Sequence, residues 1–220
     1  MQITLKEDQT FISFSQPMKS IGSAIWGGGL KKDVLTVANI TIPKNLNVPI
    51  EQMPNFCKET LTQNDYLAKN GVVLLTAVPQ KYLGQSTNKR CFVTAGLGNV
   101  YPLIPKTIWD EKNNKTQIYT PGTINCILIL DDCLNDQALV EGYGLAKIAL
   151  AEIIREWSEY RNQAICVGTP TDCLTLLCPN SGPQLRFAGL GTKIGVNLVQ
   201  IVREATNNAL RHKYPDFKSD

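Results

Sequence analysis

Three glycine-punctuated segments hold the residues best suited to chemistry: Thr94 through Gly96 to Asn99, Gly122 through Thr123 to Asn125, and Gly168 through Thr171 to Asp172. Glycine lets the backbone approach a ligand closely, while Thr, Asn and Asp supply donors, acceptors and an ionisable group. Hydrolysis of an amide needs such a set: a base for water, donors for the developing oxyanion and a proton for the departing amine. Asp172 is the candidate base, because it follows a tight Gly-Thr-Pro-Thr run and adjoins apolar strand-like residues whose burial would raise its pKa. The same aspartate is equally suited to capping its turn by bonding nearby backbone amides, and the residues alone leave both readings open.

Thr123 and Asn125 open a very apolar stretch, so the Asn125 amide must find partners in the core or on a substrate. Asn99 and Thr94 stand in a similar position. Backbone amides of Gly96, Gly98 and Gly122 could form an oxyanion site or simply turn the chain. Further along, Gly189, Gly191 and Thr192 open a helical pattern, where free N–H groups beside Lys193 favour an anion and where an ordinary capped start would look the same. No phosphate-loop pattern is present. Trp26, beside Gly27, Gly28 and Gly29, is either a flat surface for a large ring or a packed side chain.

Composition excludes several classes. The net charge is +3 without any long basic run, so the footprint of a nucleic-acid binder is missing. No apolar run approaches the ~18 residues of a spanning helix, and the start alternates like a strand; a soluble cytoplasmic protein without membrane or nucleic-acid partners is expected. Seven cysteines, with no Cys-x-x-Cys pair, suit reduced buried thiols. The single histidine, His212, removes Ser-His-Asp chemistry and leaves few ligands for zinc; no compact metal-ligand motif occurs, so the sequence shows no required cofactor and leaves open whether a metal assists hydrolysis. His212 belongs to the basic end of the last helix, where a surface role is expected.

The elements that must position these groups follow from periodicity. Residues 3–5 and 11–14 alternate as a hairpin would, and 34–42 read as a strand ended by Pro43. Residues 50–61 suggest a short helix with Pro54 in its first turn. The apolar runs 72–78, 91–95, 124–130 and 174–178 resemble strands covered on both faces. Asn135 can cap a long helix to about Tyr160 with Leu139, Tyr143, Ala146, Leu150, Ile153 and Trp157 on one stripe. Thr192 can cap a second, with Ile194, Leu198, Ile201, Ala205 and Ala209 inward. Without strict βαβ alternation, the chain is expected to form one α+β domain over 1–220, a mixed sheet packed on two long helices. The long polar stretch at about 101–120 is expected to cover the site.

In order and wording the glycine segments resemble the adenosylcobinamide amidohydrolases, the CbiZ-type family of corrinoid salvage, over roughly residues 20–210. The family's link at about 101–120 is shorter, so the polar stretch there is an insertion beside it. The resemblance implies hydrolysis of the amide that joins aminopropanol to adenosylcobinamide, giving adenosylcobyric acid, with the corrinoid as substrate. It implies substrate-binding roles for Gly28, Gly29, Gly96, Asn99, Gly122, Thr123, Asn125, Gly168, Gly189 and Gly191, and catalytic roles for Thr171 and Asp172. On the long helix the family carries a Thr, Glu, Ala, Lys run where this chain has Lys147, Ile148, Ala149 and Leu150. The acidic residue is absent. Lys147 lies three residues from the family lysine, on the same helix face, and is the third catalytic candidate. If the missing carboxylate is essential, the alternative is a corrinoid-binding protein without cleavage. The residues leave a homo-oligomer open.

Overall fold

The computed structural model describes residues 1–43, 49–98, 100, 124–161, 165–169 and 171–216. Ten strands form in chain order: β1 (Gln2–Leu5), β2 (Gln9–Gly22), β3 (Gly29–Thr41), β4 (Gly71–Thr76), β5 (Gly84–Gln85), β6 (Cys91–Ala95), β7 (Ile124–Ile129), β8 (Cys133–Leu134), β9 (Cys173–Pro179) and β10 (Gln184–Leu185). The helices are α1 (Met53–Gln63), α2 (Asp136–Tyr160) and α3 (Lys193–Lys213). Eight strands make one mixed sheet in the order β4-β3-β2-β9-β7-β6-β5, with β1 added to β2; β8 and β10 pair separately. This is the expected α+β mixed sheet with two long helices, and the third helix is the short one anticipated at 50–61, with Pro54 tolerated in its first turn.

The sheet bends back on itself. The register of β2 against β3 shifts between Ser13 and Met18, and beyond that irregularity β2 leaves β1 and pairs with β9 instead. As a result, side chains from β2, β3 and β4 (Ile12, Val34, Val37, Val72, Leu74) pack against those from β6, β7 and β9 (Phe92, Ile127, Ile129, Leu177) in one inner core. On the outer face of β6, β7 and β9, residues Cys91, Val93, Cys126, Leu128, Leu174 and Leu176 pack against α2 and α3. On the other outer face, Phe11, Ala38, Ile40, Val73 and Leu75 pack against Met53, Cys57 and Leu61 of α1. The strands with unbroken apolar runs are thus covered on both sides, which explains their lack of alternation.

Both predicted caps form. Asn135 Oδ1 accepts from the Ala138 N–H at 2.8 Å, and Thr192 Oγ1 accepts from the Gly195 N–H at 3.0 Å. Each cap satisfies a donor that the first turn leaves open, a stabilisation of about 1 kcal/mol. The inward stripe of α3 is buried throughout, and that of α2 is buried except for the half-buried Tyr143. The seven cysteines are buried thiols. His212 places Nδ1 3.3 Å from the Leu83 carbonyl oxygen. Among the described residues no helix is long and apolar enough to cross a membrane.

Gly84 is where α3 meets the edge strand β5, and a Cβ there would run into the backbone of Ala205 and Ala209. Helix backbone cannot yield as a flexible side chain does. Gly84→Ala is therefore expected to destabilise the fold by about 2 kcal/mol, read as a lowered denaturant midpoint with an unchanged slope; a midpoint equal to that of the parent would contradict the contact.

Candidate active site

Strand directions gather most of the candidate residues at one end of the sheet. β7 and β9 run parallel with Asn125 opposite Cys173, so both begin there. β6 runs antiparallel to β7 and ends there at Ala95, and β2 runs antiparallel to β9 and ends there at Gly22. Asp172 immediately precedes β9, Gly96 immediately follows β6, and the turn from β2 to β3 carries Gly28 and Gly29. Gly29 needs its glycine for a φ of +80°. Asn99, Gly122 and Thr123, and the insertion at 101–120, lie outside the described residues.

Asp172 is held by its own turn. Its Oδ2 accepts from the Thr169 N–H at 2.9 Å, and its Oδ1 accepts from the Thr169 hydroxyl. Gly168 packs so tightly that a Cβ would collide with Asp172 Oδ2. Burial pushes the Asp172 carboxyl above the usual carboxylate range, opposed by the two Thr169 bonds and by the charge of Lys147. The capping anticipated from sequence is therefore present. It does not exhaust the group, because an ionised carboxylate has about four acceptor positions.

Lys147 reaches the same residue from α2. Its Nζ lies 3.4 Å from the main-chain carbonyl oxygen of Asp172. The acidic residue absent from this stretch of helix is not supplied by Glu141, whose Oε2 accepts from the Ala188 N–H at 2.7 Å and whose Oε1 lies against Gly189. Glu152 is likewise engaged, with Arg155 at 2.7 Å.

Two candidate side chains carry unused hydrogen-bonding capacity. Thr171 Oγ1 is buried without a partner. Asn125 is 1% exposed, and its Nδ2 donates to Asn39 Oδ1 at 2.8 Å, while Asn39 Nδ2 donates to Thr94 Oγ1 at 3.1 Å. This chain ties β7, β3 and β6 together across the inner core, yet it leaves Asn125 Oδ1 unpartnered. The Asn125 amide thus does both things open to it, bonding in the core and keeping one acceptor spare.

Asn39 was not singled out by sequence reasoning, although an amide inside the apolar run 34–42 raises the same question as Asn125. Ser23 was missed too. It lies 3.5 Å through Oγ from the Asp172 carbonyl oxygen, and a lone serine after Gly22 gives little signal. Trp26 is packed, its Nε1–H donating to the Ala68 carbonyl at 2.9 Å. Gly189 and Gly191 are not brought to this end. They precede α3 near the far end of β7 and β9, where Gly189 underlies Glu141 and Gly191 lines a surface groove with Asp132, Leu185 and Lys193.

What the Asp172 end can do is acid–base work on a neutral polar group: a carboxylate of raised pKa can take a proton from water, and an ammonium beside it can donate. Among the described residues no three His, Cys, Asp or Glu side chains come together as a metal site. The protein falls in the class of hydrolases that act on linear amides. The CbiZ family model, adenosylcobinamide amidohydrolase, matches residues 1–216, and the chain belongs to that family. Comparison with curated proteins gives no match. The corrinoid is thus its substrate, in the salvage of incomplete corrinoids.

Proposed function

We propose that Asp172 is the general base in hydrolysis of the adenosylcobinamide amide to adenosylcobyric acid and aminopropanol, with Lys147 as its cationic partner. The observation that carries this is a single residue: the carboxyl of Asp172 is raised by burial while Lys147 rests on its main-chain oxygen. Asp172 takes a proton from water as the oxygen bonds to the amide carbon, and the C–N bond then breaks with a proton delivered to the departing amine. The free capacity of Thr171 Oγ1 and Asn125 Oδ1 is assigned to holding the amide, and the open face of Gly29 lets the macrocycle approach the backbone, whereas Gly28, Gly96 and Gly168, each closed by a neighbouring group, are assigned to substrate contacts on the family resemblance. Asn99, Gly122 and Thr123 are assigned to the same substrate contacts on the family resemblance alone. Gly189 and Gly191 shape the start of α3 at the opposite end. A cytoplasmic setting is part of this reading, in keeping with the seven buried thiols.

The test is direct: purified protein incubated with adenosylcobinamide should release free aminopropanol. Binding without release would instead point to the loss of the helix carboxylate as decisive.

Lys147→Met separates the ammonium from the stem. Methionine keeps helix propensity and much of the apolar packing, so stability should change by less than about 0.5 kcal/mol. Turnover should fall about tenfold. Since Lys147 pulls the Asp172 pKa down, its removal should also move the acid limb of kcat/KM to higher pH. An unmoved limb with normal turnover would exclude Lys147 from the chemistry.

A further inference from the structure

Ser23 meets the Asp172 segment at four points. Its N–H donates to the Leu174 carbonyl at 3.0 Å, and its Oγ accepts from the Leu174 N–H at 3.2 Å. Its carbonyl accepts from Cys173 Sγ at 3.3 Å, and its Oγ reaches the Asp172 carbonyl oxygen at 3.5 Å. Three consecutive residues, Asp172, Cys173 and Leu174, are therefore fastened to one serine at the end of β2. The approach needs Gly22, where a Cβ would run into Thr175 Oγ1 and the Leu174 carbonyl.

The hydroxyl's place is the significant part. Ser23 Oγ and Lys147 Nζ converge on the same carbonyl oxygen, one from the solvent-exposed end of β2 and the other from α2. The main chain of Asp172 is thus held between two side chains on separate elements, while Thr169 holds its carboxylate. Ser23 is exposed, and its neighbouring chain continues directly into the turn that carries Gly28 and Gly29. Alanine at this exposed position would lose little packing, though it would take from the Leu174 N–H its Oγ acceptor.

We infer that Ser23 is a positioning residue for hydrolysis, fixing the main chain of Asp172 so that its carboxylate and the Lys147 ammonium stay in register with the scissile amide. This rests on the reading of Asp172 as the base. A displacement of about 1 Å at a reacting group can cost about 10²-fold in rate, so a partial loosening of one of two tethers should cost less. The effect should appear in kcat, because Ser23 aligns the chemistry and does not anchor the corrinoid.

The experiment compares the whole protein with Ser23→Ala, Ser23→Thr, Asp172→Asn and the Ser23→Ala, Asp172→Asn double variant. Aminopropanol release from adenosylcobinamide is followed at steady state and, for slow variants, in single turnover. Ser23→Ala should lower kcat about tenfold with KM within about twofold of the parent, and Ser23→Thr, which keeps the hydroxyl, should restore most of the loss. Because Ser23 acts through Asp172, its removal should cost nothing further in the Asp172→Asn background. Parental kcat in Ser23→Ala, failure of threonine to rescue, or a second tenfold loss in the double variant would each overturn the inference. Asp172→Asn serves as the separate control: normal turnover in it removes the base reading itself, whereas a dead Asp172→Asn with an unaffected Ser23→Ala removes only the role of Ser23.

Discussion

Asp172→Asn should leave corrinoid affinity near that of the parent while turnover falls by roughly 10²- to 10⁴-fold, the usual loss when a general base is removed. The isostere keeps an acceptor for the Thr169 N–H and cannot take a proton from water. The pH behaviour supplies a second reading. Burial dominates at Asp172 and raises its pKa, so the acid limb of kcat/KM should fall above the ~3.9 of an unperturbed aspartate. The same shift has a stability consequence of definite sign. The folded state holds the Asp172 proton to higher pH than the unfolded chain, so this group's contribution to stability is present below the unfolded pKa and is lost as pH rises through the folded one. Asparagine is neutral throughout and should lack that decline, which thermal melting across the acidic range would show. Near-normal turnover would remove Asp172 from the mechanism, and a stability loss matching the activity loss would make it a turn cap alone.

Gly168→Ala should nearly match that effect without touching an ionisable group. The glycine is not in left-handed backbone, so alanine is conformationally permitted; the obstacle is the Asp172 carboxylate, which occupies the space a Cβ would take. To make room, Oδ2 must leave the Thr169 N–H and the carboxylate must swing away from its bound position. Misplacing the base by about an ångström should cost about 10²-fold in kcat. Parental kcat in this variant would show that the carboxylate's tight seat is unimportant to turnover.

Local physics made much of the architecture legible before the structure. The apolar runs Cys91 to Ala95 and Leu174 to Cys178 read as strands covered on both faces, and Asn135 and Thr192 announced the two long helices through side-chain capping. The bend of the sheet was not legible, because a register shift between Ser13 and Met18 depends on which partner each half of β2 finds. That same bend hid Asn39: its place beside Asn125 and Thr94 arises between strands far apart in sheet order. The site was read in part. Lys147 reaches the Asp172 main chain, as its place on the helix face allowed, but glycine-rich wording alone could not show that Gly189 and Gly191 sit at the other end, since turns of similar composition serve either end of a strand. Ser23 bonds to main-chain groups of residues 149 and 151 positions away, which no local pattern records.

β9 lies between β2 and β7 in the sheet, yet it is the last of the three to leave the ribosome. Until residues 173–179 emerge, the strands on either side present unpaired edges to one another across an unfilled slot, and Asp172 has no frame to sit in. Closing so long a loop carries an entropic cost before any contact rewards it, and sheets assembled this way form slowly. Chains stalled before β9 would therefore expose two sticky strand edges.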